Sequence, residues 1–348
     1  MDRSRTLALT GREARRAGGD PVSDTDAVIR TRGLSKSYGS IRALTELELV
    51  VPRHSIFGLL GPNGSGKSTA MKLLLGLVRP TSGRGSIFGL DIARDSVDIR
   101  SRVGYLAQEP RFSGHLTAIE TLRFVLRFFA HIPAADHDKR VASALEIVGL
   151  RGKANRPVRG LSGGERQRLG LAQAVIHDPD LLILDEPAAA LDPMGRSDVL
   201  DILERLQERA TVVYSTHILD DVQRVSDRVA ILKAGRLVAQ APIERLLAAE
   251  QGAGYELVLS GAPDGLRDEL RRQAWIESVN FQFGATGTTW SVTVNDTDAA
   301  EASLLRMVLR HPEVRVLEFS RSRAELEDVF HDLVSGGDHD EPGGTVTA

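Results

Sequence analysis

The segment SIFGLLGPNGSGKSTAMKLLLGLV, residues 55–78, constrains this chain more than any other. SIFGLL is nearly continuous in apolar residues, as a parallel strand covered on both faces must be. AMKLLLGLV has the apolar content of a helix packed on such a sheet. Between them GPNGSGKST fills every position of the G-x-x-x-x-G-K-S/T pattern. That pattern needs a strand before it and a helix after it, because the phosphates rest on backbone N–H groups at a helix N-terminus. Gly61, Gly64 and Gly66 let the backbone curl, and Pro62, Asn63, Ser65 and Thr69 complete the loop. Lys67 is placed to neutralise β- and γ-phosphate charge, and the Ser68 hydroxyl suits Mg²⁺. The expectation is an α/β domain that binds a nucleoside triphosphate.

A second segment supplies the acids that such a site needs. DLLILDE, residues 180–186, is another buried parallel strand, and its carboxylates fall at the strand end, where open α/β sheets bind ligands. Asp185 is expected in the Mg²⁺ shell, and Glu186 is placed to orient or deprotonate an attacking water. TVVYSTH and RVAILKAG give two further strands. The stretch from about 110 to 165 is helical in character: Thr117 and Glu120 form a capping-box pattern, followed by LTAIETLRFVLRFFAHI, apolar nearly all round. A second glycine loop then stands in LSGGERQRLG, from Leu161, again running into a helix. Two phosphate cradles in one domain require an explanation.

LSGGERQR beside those two motifs resembles the signature of the ATP-binding cassette (ABC) ATPases, over roughly residues 28–249. The resemblance implies a RecA-like core with an antiparallel β subdomain and a helical subdomain, and two domains meeting head to tail around two ATP. Each ATP then lies between the Gly61-type loop of one chain and the signature loop of the other, so Ser162, Gly163 and Gly164 serve the partner's nucleotide. Tyr38 in SKSYGS matches the adenine-stacking aromatic, and Gln108 in VGYLAQEP matches the glutamine that senses Mg²⁺ and water. His217 in YSTH matches the switch histidine at the γ-phosphate, and Asp192 in ALDP matches the aspartate of the loop crossing the dimer axis. EPAAALDP departs from the family in Ala188 and Ala190, which replace a hydroxyl and a flexible glycine.

From about Tyr255 the pattern changes to βαββαβ: ELVLS, a helix over 263–273, ESVNFQF and WSVTV around GATGT, a helix over 299–309, and VRVLEFS. That order is ferredoxin-like, and RAELEDVFHDLV follows it as a helix. The reading is a small accessory domain over 255–335, regulatory or dimer-supporting; an extension packed on the main sheet is the alternative. Residues 1–27 and 336–348 are expected to be disordered tails.

Composition limits the load this engine drives. Formal charge is −3, there is no cysteine, and no run approaches eighteen apolar residues. Nucleic acid is therefore not an expected partner, thiolate metal sites are excluded, and no segment reads as membrane-spanning. The resemblance then implies the ATPase of a two-gene bacterial exporter, working as a homodimer or with a related ATPase on a separate permease, at the cytoplasmic face of the membrane. An importer ATPase and a soluble cassette acting on nucleic acid or ribosomes are the alternatives. Against the latter, no second nucleotide loop follows and no long insertion separates Gln108 from Leu161. Phe124, Phe128 and Phe129 are candidates for the permease dock, with helical-subdomain core the favoured role for most of them.

Overall fold

A computed structural model describes residues 26–189, 191–249, 253–261, 264–284, 287–322 and 330. The first unit contains β1 (Ala27–Tyr38), β2 (Ile41–Leu47), β3 (Val50–Pro52), β4 (Ile56–Leu60), β5 (Ser82–Ile87), β6 (Leu90–Asp91), β7 (Val103–Leu106), β8 (Leu181–Leu184), β9 (Thr211–Thr216), β10 (Arg228–Lys233) and β11 (Arg236–Pro242). One sheet runs β2-β1-β5-β6, with β3 also on β1, and is antiparallel. The other runs β11-β10-β4-β9-β8-β7; β10 through β7 are parallel and β11 is antiparallel to β10. Every residue of β4, β8 and β9 is buried, which explains the nearly continuous apolar sequences of β4 and β8. Phe57, Leu59, Met71, Ile183 and Val213 share one core with Ile29 and Leu47 of the antiparallel sheet.

Parallel strands put their carboxyl ends on one edge. Leu60 lies opposite Thr216, Leu184 opposite Tyr214, and Leu106 opposite Leu184. The loops after β4, β9, β8 and β7 are thus neighbours, although the chain visits them in a different order.

The helical segment departs from its sequence reading. Thr117 and Glu120 do form a capping box, but the helix is Ala118–Leu126 and does not continue to Ile132. Beyond Leu126 the backbone turns with closer spacing, Phe128 to Val125, Phe129 to Leu126 and Ile132 to Phe129, as it approaches Pro133. The favoured core role is also corrected for two of the three phenylalanines. Phe124 and Phe128 are 51% and 73% exposed and meet edge to face at 5.4 Å. Apolar residues on all sides of a sequence pattern do not say which face finds a neighbour. Phe129 is half-buried, stacked at 4.1 Å on His177.

His177 itself is buried, and neither ring nitrogen meets hydrogen-bond geometry. Burial lowers its pKa to about 4, partly offset by the Val103 backbone beside it. The unfolded chain therefore takes up this proton first, so stability falls as pH drops from about 6.5 towards 4. The loss amounts to on the order of 3 kcal/mol over that window. Urea unfolding of the full chain at pH 7 and pH 4.5 should show it, and His177→Phe should reduce the difference. An equal difference in the variant would contradict this account.

The chain divides between Ile243 and Glu244 into two compact units. The second unit has its own sheet, β12 (Ala253–Ser260), β13 (Ile276–Phe283), β14 (Thr288–Val294) and β15 (Arg315–Ser322), in the order β13-β14-β12-β15 and antiparallel throughout. Tyr255, Leu257 and Leu259 alternate onto one face with Trp290, Val292 and Val294. The helices Asp264–Arg271 and Thr297–Val308 cover that face with Leu266, Leu270, Leu304 and Val308. This is the ferredoxin-like arrangement expected. In the first unit β1 begins at Ala27, the last residue of the expected N-terminal tail. The other residues assigned to that tail lie outside the described residues except Asp26, as do the C-terminal tail, Ala190, and RAELEDVFHDLV apart from Phe330.

Candidate active site

The loop after β4 is shaped by approaches that exclude side chains. A Cβ at Gly61 would lie 2.3 Å from the Leu232 carbonyl oxygen. Gly66 has φ of 106°, and a Cβ there would lie 2.6 Å from the Ala43 carbonyl oxygen. The helix Lys67–Leu74 starts at once, and no side chain caps its first turn. Its amino end is therefore left for an anion, with Pro62, Asn63 and Gly64 exposed and Ser68 and Thr69 half-buried. The buried Ser65 hydroxyl also lacks a partner.

Lys67 crosses the loop interior and donates to the carbonyls of Gly61, at 2.6 Å, and Pro62, at 3.2 Å. Its Nζ lies 3.8 Å from Glu186 Oε1. Burial lowers its pKa, against the opposing pull of Glu186 and Asp185. A buried ammonium on three oxygens at the mouth of a helix N-terminus is a site for a strongly charged anion.

Glu186 is the centre of the arrangement. Besides Lys67 it meets Gln108 Nε2 at 3.4 Å and His217 Nδ1 at 3.5 Å. Its backbone is left-handed, φ 49°, an uncommon state for a residue with a side chain. Three bonds hold it there: Ser215 Oγ accepts from its N–H at 2.9 Å, and its carbonyl accepts from Ala189 N–H at 3.2 Å and Gln167 Nε2 at 3.5 Å. The same Ser215 hydroxyl donates to Asp185 Oδ1 at 2.7 Å. One buried serine on β9 thus fixes both acids that follow β8.

The remaining sequence-derived residues lie elsewhere. Ser162 caps the helix Gly163–Val175 through a capping box with Glu165, which Lys153 holds in turn. Ser162 and Gly163 are exposed, and among the described residues no hydrogen bond or ion pair joins Ser162, Gly163 or Gly164 to the loop 61–69. Asp192 is exposed too, capping the helix Pro193–Gln207 by accepting from Gly195 N–H at 3.0 Å. Tyr38 is an exposed side chain at the tip of the β1–β2 hairpin, with Lys36 Nζ 4.9 Å from its ring centre. Lys67, Gln108, Asp185, Glu186 and His217 converge; the glycines of the second loop do not join them.

The ABC transporter family pattern matches residues 44–189. The bacitracin transport ATP-binding protein BcrA of Bacillus licheniformis is 37% identical over 313 residues, 89% of this chain and 98% of the relative. The chain belongs to the ABC transporter family. The Nod factor export ATP-binding protein I of Cupriavidus pinatubonensis is 36% identical over 251 residues, 72% of this chain and 77% of that one. Among solved structures, the ATP-binding cassette MJ0796, in a dimeric post-hydrolysis state bound to ADP and Pi, is similar with a TM-score of 0.58 and 27% identity. The similarity covers 62% of this chain and 98% of that one.

This ABC subunit is an ATPase that binds ATP and hydrolyses it to ADP and phosphate. Among the described residues no helix is long and apolar enough to cross a membrane. Sequence reasoning missed Ser215 and Gln167. YSTH drew attention only through its histidine, and the signal that a serine two positions earlier faces the acids of another strand lies in the sheet register.

Proposed function

We propose that this ATPase drives an exporter, pairing head to tail with a second cassette around two ATP and working a separate membrane permease from its cytoplasmic face. The observation that carries the pairing is the separation of the two glycine loops. One faces Lys67 and Glu186, while the other presents the capped amino end of Gly163–Val175 to solvent with no bond to the first. In a two-fold pair each exposed signature loop meets its partner's nucleotide. Export rests on the relatives, one of which bears that activity in its name.

Within each chain, Tyr38 stacks on adenine, residues 61–69 hold the phosphates, and Lys67 exchanges its carbonyl partners for phosphate oxygens. Glu186 accepts the proton of the attacking water, Gln108 and His217 orient that water and the γ-phosphate, and Asp192 faces the partner. The donor set fits Mg²⁺: Ser68 and Asp185 would hold it, with Gln108 at its edge, beside phosphate oxygens. Among the described residues no group of three or more acids and imidazoles is arranged to hold a metal ion. A magnesium ion shared with phosphates needs none. When bound it neutralises charge on the β- and γ-phosphates. The cassette spans 28–249 with its helical part over about 110–165, and the accessory domain spans 255–335.

Deleting the gene in its native host tests the export reading. The deletion strain should become more sensitive to some members of a panel of membrane-active antibiotics, with sensitivity reversed by the parental gene and not by its Glu186→Gln variant. Unchanged sensitivity across the panel, together with lost growth on a nutrient supplied at low concentration, would indicate import instead.

A further inference from the structure

The helix Leu219–Val225 begins just after His217 and has only seven residues. So short a helix has no stability of its own, and its pose is set by what it touches. Asp221, on this helix, is 1% exposed. Burial raises its pKa, and the opposing charge is Arg196, whose Nε donates to Asp221 Oδ1 at 2.5 Å. Arg196 sits in the first turn of the helix that Asp192 caps. The same two helices also share Arg224, which donates to Ser197 Oγ at 3.0 Å and Asp201 Oδ1 at 2.6 Å. Those charged groups are about two-fifths exposed, so water screens them, and the buried pair dominates the geometry.

Asp221 is held from a second side. The Tyr214 hydroxyl donates to its backbone carbonyl at 3.1 Å and lies 2.7 Å from Ser226 Oγ. Tyr214 is buried on β9 and immediately precedes Ser215, the residue that fixes Asp185 and Glu186. Through its carbonyl and its carboxylate, buried Asp221 therefore links β9, the helix behind His217 and the helix behind Asp192.

We infer that Arg196 and Asp221 are positioning residues for ATP hydrolysis, a charge pair with a buried carboxylate that fixes the helix behind His217 to the helix behind Asp192. The inference rests on the proposed roles of His217 and Asp192. A shift of the Asp192 loop, when it meets a partner chain, then moves His217 through a rigid link. Removing either side chain breaks the joint, and loss of Arg196 also leaves the buried Asp221 carboxylate uncompensated; His217 then loses its pose while the phosphate loop, anchored on β4, keeps its own.

The test is steady-state ATP hydrolysis by the full chain carrying Asp221→Asn, Arg196→Gln, both, or His217→Ala. Each single change at the pair should lower kcat by about 10- to 100-fold, as small displacements of a reacting group do. KM for ATP should stay within about twofold, since ground-state binding is untouched. The double variant should be no worse than the worse single one. Adding Asp221→Asn to His217→Ala should cost nothing further, a result that a general loss of packing does not give. Arg196→Lys should recover part of the rate. Should Asp221→Asn fail to fold, Arg196→Gln and Arg196→Lys decide, because Arg196 is partly exposed. Parental kcat in folded pair variants beside an inactive His217→Ala would overturn this inference alone, as would an undiminished further loss in the His217→Ala background. Parental kcat in His217→Ala would instead remove the switch role on which the inference stands.

Discussion

Replacing Glu186 with glutamine is expected to leave MgATP bound and to lower turnover on the order of 100- to 10,000-fold, the range for removing a positioned general base. The substitution keeps the shape of the side chain and its backbone bonds to Ser215, Gln167 and Ala189. It removes the proton acceptor and the negative charge beside Lys67. Lys67 retains the Gly61 and Pro62 carbonyls, and loss of its ion pair at 3.8 Å makes it freer to engage phosphate. Nucleotide affinity should therefore be equal to the parent's or higher. Equilibrium binding of a fluorescent ATP analogue and single-turnover phosphate release separate the two effects. Release at the parental rate would show that another group takes the proton, and lost binding would show that Glu186 supports the loop instead.

The parts of the site carried by contiguous sequence were legible in it. GPNGSGKST prescribes its own strand, turn and helix, and the strain at Gly61 and Gly66 is what its glycines are for. The acids after LLIL were placed by strand burial, since a run of four apolar residues covered on both faces can end only where the sheet ends. The C-terminal unit was legible for a similar reason: Tyr255, Leu257 and Leu259 alternate with outward residues, and the period of two assigns their face. What escaped was set by residues distant in sequence. Ser215 reaches Asp185 and Glu186 only because β8 and β9 pair in one particular register. The Arg196–Asp221 pair depends on how two helices lie together. Phe124 and Phe128 match the pattern of core residues, yet both are exposed, one on the helix and the other in the turn that follows it.

The composite site is the central claim, and mixing two inactive chains tests it most directly. Lys67→Ala should disable the cradle of its own chain. Gly164→Asp should place a carboxylate against the partner's γ-phosphate, and it fits its own chain, because a Cβ there meets only the Leu191 side-chain tip at 3.2 Å. Either variant alone is expected to be inactive at both sites. In a head-to-tail mixed dimer, the intact loop 61–69 of the Gly164→Asp chain faces the intact signature of the Lys67→Ala chain, giving one whole site. Random mixing makes half the dimers mixed, so at most roughly a quarter of parental activity should return if the two sites act independently. Coupling between sites lowers that figure, so occlusion of labelled ATP is followed beside phosphate release. Recovery of occlusion on mixing is the predicted result. Occlusion and release that both stay at the level of the separate variants, in samples shown to contain mixed dimers, would contradict the account.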